Sequence, residues 1–346
     1  MRTVMMWLGL SVFCAQTASC IAADVWPGAE WERVTPAEAG WSADALKAAR
    51  RSSEQMGTAA FVAIHHGRMV ASWGNIDTRL EIYSARKSLL SALIGTAVAD
   101  GRIKLAATLA TLDIDDAPPS LSDTEKQATV RQLLQARSGV YHDALFETKT
   151  MAARRPARGS HPPGTFWYYN NWDFNTLGGI YEKAVGTSIF EAFQQRIAAP
   201  IGMQDYRPSD GRYVTGAASR YPAYPFHMTA RDLARFGLLY ARGGRWADVS
   251  LVSPGWIKES TTAWSETERH AGYGYLWWVG LGKQPGAIMH LSEGGFWAHG
   301  NKGQFVVVDP VRDLVVVHLT DGAVTVSEPK MSELMHLVLV AAHEEN

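Results

Sequence analysis

Strand-forming runs lie at both ends of this chain and helical periodicity fills the stretch between them, which restricts the fold more than any other feature. Near the start, Ala60-Phe61-Val62-Ala63-Ile64 and Met69-Val70-Ala71-Ser72-Trp73 flank His66-Gly67-Arg68, the pattern of a β-hairpin with a tight turn. Near the end, the β-branched runs Gln304 to Val308 and Leu314 to Leu319 flank Asp309-Pro310-Val311-Arg312-Asp313, a turn by composition. Helical patterns run from Ser42 to Met56, closed by Gly57, and over Leu89–Val98, Val130–Gln135, Leu177–Val185, Ile189–Ile197, Thr229–Tyr240 and Ser332–Ala342. The expected class is α/β (α+β): one sheet built from the N- and C-terminal parts, flanked by helices, with a mainly helical region inserted. The boundaries expected are 23–85 and 240–346 for the sheet region and 86–239 for the helical region, together forming one unit.

Residues 1–22 are expected to be an export signal rather than part of the fold. Arg2 supplies a positive start, Val4 to Ala15 is apolar but short for a bilayer, and Ser19 to Ala23 offers small residues for cleavage. The mature chain is therefore expected outside the cytoplasm, periplasmic or extracellular. Cys14 and Cys20 both fall in the leader, leaving no thiol or disulfide behind. Thr17-Ala18-Ser19-Cys20 loosely resembles a lipoprotein cleavage box, so a lipid on Cys20 is the alternative. No later stretch is long and apolar enough for a transmembrane helix. With 33 Lys plus Arg against 34 Asp plus Glu and a net charge of -1, the 346-residue chain has no global basic field to hold nucleic acid.

The chemistry concentrates in Tyr83-Ser84-Ala85-Arg86-Lys87-Ser88-Leu89-Leu90. If Ser84 opens the helix that continues through Leu93 and Ala97, Lys87 at i+3 shares its face. A lysine whose pKa is lowered by burial or neighbouring charge can take a serine proton. The competing reading makes Ser84 an N-cap and Lys87 a solvated surface group. A second Ser-x-x-Lys at Ser327 to Lys330 sits in a polar turn and lacks the apolar helix. Further on, Trp167-Tyr168-Tyr169-Asn170-Asn171 leads into a helix through Leu177-Gly178. A tyrosine beside a lysine ammonium ionises more readily and can act as acid and base. Judged alone, these aromatics read better as core residues with their hydroxyls satisfied.

Together the segments resemble the serine hydrolases that share the fold of class C β-lactamases and D-alanyl-D-alanine carboxypeptidases. Ser84-x-x-Lys87 matches that family's nucleophile motif, and Tyr169-x-Asn171 followed by Leu177-Gly178 matches its second, which selects Tyr169 over Tyr168. Leu133 to Val140, Thr229 to Gly237 and Tyr273 to Trp278 also look like the family, so the likeness runs from about Trp41 to Leu319. The resemblance implies a β-lactamase/transpeptidase-like fold and an acyl-enzyme on Ser84, with Lys87 and Tyr169 as acid and base. No Lys-Thr-Gly occurs. Trp297-Ala298-His299-Gly300-Asn301-Lys302-Gly303-Gln304 instead looks most like the branch of 6-aminohexanoate-dimer hydrolases and related esterases. That match implies an oxyanion hole from the backbone NH groups of Ser84 and Asn301, with substrate contacts from Asn171, Tyr141, His299 and Gly300.

Without Lys-Thr-Gly to hold a substrate carboxylate, a small ester, amide or peptide-like substrate fits better than a β-lactam. A β-lactamase or D-amino-acid peptidase stands as the alternative, and a non-catalytic penicillin-binding-like ligand-binding protein as the alternative of another class. There is no Gly-x-Ser-x-Gly elbow, no phosphate loop and no His-Glu-x-x-His. No cofactor and no metal are implied.

Overall fold

A computed structural model describes residues 24–268, 270–282 and 288–343. The expected leader and Cys20 lie outside the described residues. An eight-stranded antiparallel sheet runs, in spatial order, Arg68–Gly74, Ala60–His65, Leu314–Leu319, Gln304–Asp309, Phe296–Gly300, Trp278–Val279, Gly272–Tyr273 and Ser265–Glu266. The join between chain ends is the ladder from Ala60 opposite Leu319 to His65 opposite Leu314. Every residue of these two strands is buried, as strands covered on both faces must be.

Alternation along the strands sorts side chains onto two helical layers. Val315 and Val306 face the Ala230–Ala241 helix, where Gly237 leaves room: a Cβ there would stand 2.4 Å from Val315 Cγ1. On the other face Phe61 stacks on Trp73 at 3.9 Å, and Trp73 Nε1 donates to Ser53 of the Ala43–Gln55 helix at 2.7 Å. That helix packs beside the C-terminal helix Glu328–Ala341, and Ser42 N donates to Ala341 O at 2.7 Å.

The Arg86–Ala99 helix is buried from Arg86 through Ala97, consistent with a sequence that is not amphipathic. It packs on the Asn171–Val185 and Ile189–Phe193 helices and on the Phe296–Gly300 strand. The expected Ile189–Ile197 helix ends earlier as α-helix, at Phe193, and Gln194–Ala198 continues as a π-helical turn. The C-terminal helix begins at Glu328 rather than Ser332, because Pro329 occupies its first turn, where a missing N–H costs nothing. No described helix is long and apolar enough to cross a membrane.

Candidate active site

Ser84 enters the site on a tight turn. Tyr83–Ala85 forms a single 3-10 turn that runs straight into the Arg86–Ala99 helix. Tyr83 has φ +46°, a left-handed conformation that a bulky residue holds only under constraint. Arg86 supplies one constraint: its Nη1 donates to the Tyr83 carbonyl at 2.9 Å. The cap positions of the two helical segments are Ile82 and Ala85, so the N-cap reading of Ser84 does not hold. Instead Lys87 Nζ lies 2.8 Å from Ser84 Oγ.

The same Nζ lies 2.8 Å from Tyr169 Oη, contributed from 82 residues further along the chain. Lys87 is buried, and its pKa is held well below the ordinary 10.5, first by burial and then by the adjacent Arg86 charge. Tyr169 stacks against Trp278 with ring centres 5.7 Å apart, and Phe174 lies 4.7 Å from the Lys87 nitrogen. Tyr168 turns elsewhere, donating to Met151 O at 2.8 Å. Asn170 caps the following helix, its Oδ1 accepting from Trp172 N at 3.1 Å, which sets Tyr169 at the helix entrance.

Asn171 Nδ2 donates to Phe146 O at 2.6 Å, while its buried Oδ1 has no partner among the described residues. These groups line a cavity of about 410 Å³ walled by Phe146, Met151, Phe166, Trp167 and Trp278. Ser84, Tyr169, Asn171, His299 and Asn301 all reach it.

Two expected contacts fall differently. Tyr141 does not line the cavity; it is buried behind Tyr168, edge-on to that ring at 5.9 Å, and burial together with Asp173 pushes its phenol up to about 12. Gly300 does not line it either. Any Cβ at Gly300 would stand 2.1 Å from Ile82 O, so this glycine lets the Phe296–Gly300 strand press against the Ser84 turn.

Sequence reasoning named no role for Arg86, Phe146 or Glu328. Arg86 is fully buried with its guanidinium over Tyr224 at 4.9 Å and Phe146 at 5.6 Å. An arginine directly before Lys87, at the entrance to a helix that is apolar from Leu89 onward, was the available signal. Glu328 lies 3.2 Å from His299 Nδ1 and had none, since its helix start was masked by Pro329.

The Beta-lactamase family model matches residues 43–340. The chain belongs to the beta-lactamase family. It is a serine hydrolase of the penicillin-binding-protein-like kind, and solved structures carry the same fold at low identity. A Bacillus anthracis protein provisionally named a 6-aminohexanoate-dimer hydrolase is 23% identical, with TM-score 0.65 over 85% of this chain and 81% of that one. A Mycobacterium bovis beta-lactamase is 22% identical, TM-score 0.61, over 85% and 99%. A Caulobacter crescentus penicillin-binding protein homologue is 19% identical, TM-score 0.65, over 87% and 99%. Within this beta-lactamase fold the end of the Phe296–Gly300 strand and the start of the Arg86–Ala99 helix meet at the Ser84 turn.

Proposed function

We propose that the protein hydrolyses small esters or amides through an acyl-enzyme on Ser84. The observation that carries this reading is the position of the Lys87 nitrogen, 2.8 Å from both Ser84 Oγ and Tyr169 Oη in a buried setting that favours the neutral amine. A neutral amine accepts the serine proton as Oγ attacks the carbonyl, and Tyr169 passes a proton to the leaving group. The backbone NH groups of Ser84 and Asn301 receive the tetrahedral oxyanion, a contribution of about 100- to 1000-fold per donor. Asn171 Oδ1, unpartnered in a buried position, suits a substrate N–H.

Aromatic walls favour an apolar acyl group. The third-motif stretch carries Ala298-His299-Gly300 in place of a lysine and a hydroxyl, which weakens the case for a β-lactam carboxylate. An expected export from the cytoplasm places such an activity in the periplasm or outside the cell. Steady-state assays of a short-chain aryl ester and a chromogenic cephalosporin, on the parent and Ser84→Ala, test the proposal. Ester turnover that exceeds cephalosporin turnover and vanishes in the variant supports it; turnover retained by Ser84→Ala refutes it.

A further inference from the structure

His299 is held as a catalytic imidazole would be, although Ser84, Lys87 and Tyr169 leave it no task in acylation. Its ring lies flat on Phe305, centres 4.4 Å apart and planes within 6°. Its Nδ1 lies 3.2 Å from Glu328 Oε1, at ion-pair distance. Glu328 is itself buried, at the start of the C-terminal helix, whose positive end favours a carboxylate. With Nδ1 within 3.2 Å of Glu328 Oε1 and the ring stacked on Phe305, His299 lines the cavity together with Ser84, and Nε2 is the ring nitrogen left for it. The strand carrying it is pressed against the Ser84 turn through Gly300.

A carboxylate beside Nδ1 favours the tautomer with hydrogen on Nδ1 and a lone pair on Nε2. We infer that His299, oriented by Glu328, is the general base that activates the water of deacylation. The inference rests on the acyl-enzyme reading above. In this step Nε2 takes a proton from water as the water oxygen bonds to the acyl carbon. The bond from that carbon to Ser84 Oγ breaks, and the Lys87 and Tyr169 pair returns a proton to Oγ. The imidazolium proton then passes through solvent to that pair. The products are the free acid, the Ser84 hydroxyl and neutral His299.

A division of labour follows. Lys87 stands on Oγ itself, with Tyr169 Oη on the same nitrogen, where the proton must be delivered as the serine departs. His299 comes from the opposing strand, where a water can approach the acyl carbon. Glu328 is a positioning residue, acting on the reaction through His299.

Pre-steady-state kinetics with p-nitrophenyl acetate, combined with intact mass, separate the two half-reactions on the full chain. His299→Gln should slow deacylation on the order of 100-fold while acylation changes less than about 3-fold, so the +acetyl mass accumulates. Glu328→Gln should slow deacylation roughly 10-fold or more with acylation preserved, and Glu328→Asp should recover part of that loss. A folded His299→Gln variant that clears acetyl as fast as the parent overturns the inference. So does one that slows both half-reactions by the same factor, which marks a substrate-binding role. Absence of any acetyl-enzyme on both the parent and His299→Gln, with ester turnover retained by Ser84→Ala, would overturn the Ser84 reading and this inference with it, an outcome distinct from the other two.

Discussion

Arg86 and Lys87 are consecutive, both buried, and their cationic heads diverge: the guanidinium lies over Tyr224 at 4.9 Å while the Lys87 nitrogen reaches Ser84 Oγ at 2.8 Å. Two adjacent cations in a desolvated site are costly, and the group with the lower intrinsic pKa gives up its proton. Arg86 therefore adds to burial in lowering the Lys87 pKa. Burial lowers the pKa of Arg86 too, and Tyr224, Tyr169 and Glu81 offset part of that by favouring its charge.

Removing that charge should move the pH profile. In Arg86→Gln the Lys87 pKa rises toward its ordinary value of 10.5, because one of its two depressing causes is gone. The base is active when deprotonated, so the acid limb of kcat/KM should shift to higher pH. A limb that stays in place would show that burial alone sets Lys87.

Tyr169→Phe keeps the ring that stacks on Trp278 and deletes only the hydroxyl beside Lys87. Turnover of an aryl ester should fall about 100- to 10,000-fold with thermal stability nearly unchanged. Tyr168→Phe loses a bond to Met151 O and should retain activity within about 10-fold, a contrast that checks the choice between the two tyrosines.

Gly237→Ala tests the packing of the Ala230–Ala241 helix on the sheet. The new methyl would meet Val315 Cγ1 at 2.4 Å and Val306 Cγ1 at 3.2 Å. Overpacking of this kind costs about 1–3 kcal/mol, read as a lower urea midpoint with an unchanged slope. No loss of stability would mean that the two layers can slide apart freely.

His318 governs acid sensitivity of the fold. Buried between Thr58 Oγ1 and Gly303 O, each 2.8 Å from a ring nitrogen, it has a pKa lowered from 6.5 to about 4 by burial. The unfolded chain binds a proton there first. Stability from this group is complete above about pH 6.5 and is lost as pH falls through 4, with a slope of up to about 1.4 kcal/mol per pH unit. His65, lowered to about 4 as well, adds to the same window. Urea unfolding between pH 4 and 6.5 should show a shallower dependence in His318→Asn than in the parent.

The hairpins at the two chain ends and the helix after Ser84 were legible because each carries its period over five or more residues. The closeness of Ser84 and Lys87 follows from local spacing, three residues apart where the 3-10 turn runs into the helix. The strands Ser265–Glu266, Gly272–Tyr273 and Trp278–Val279 are two residues long, too short to express alternation. Tyr169 was legible only through the spacing of a family motif, because no local rule brings it to a lysine 82 residues away. Glu328 was hidden by Pro329, which reads as a breaker unless it is placed in a first turn. Tyr141 packs against Tyr168 rather than lining the cavity, a placement the motif does not carry because it gives sequence position and not the direction of a side chain.

The most direct test of the central claim is the intact mass of the protein after a fluorophosphonate probe, beside Ser84→Ala under the same conditions. A single adduct on the parent and none on the variant is the result expected of a serine activated by Lys87. Equal labelling of both, or of neither, would contradict an acyl-enzyme on Ser84.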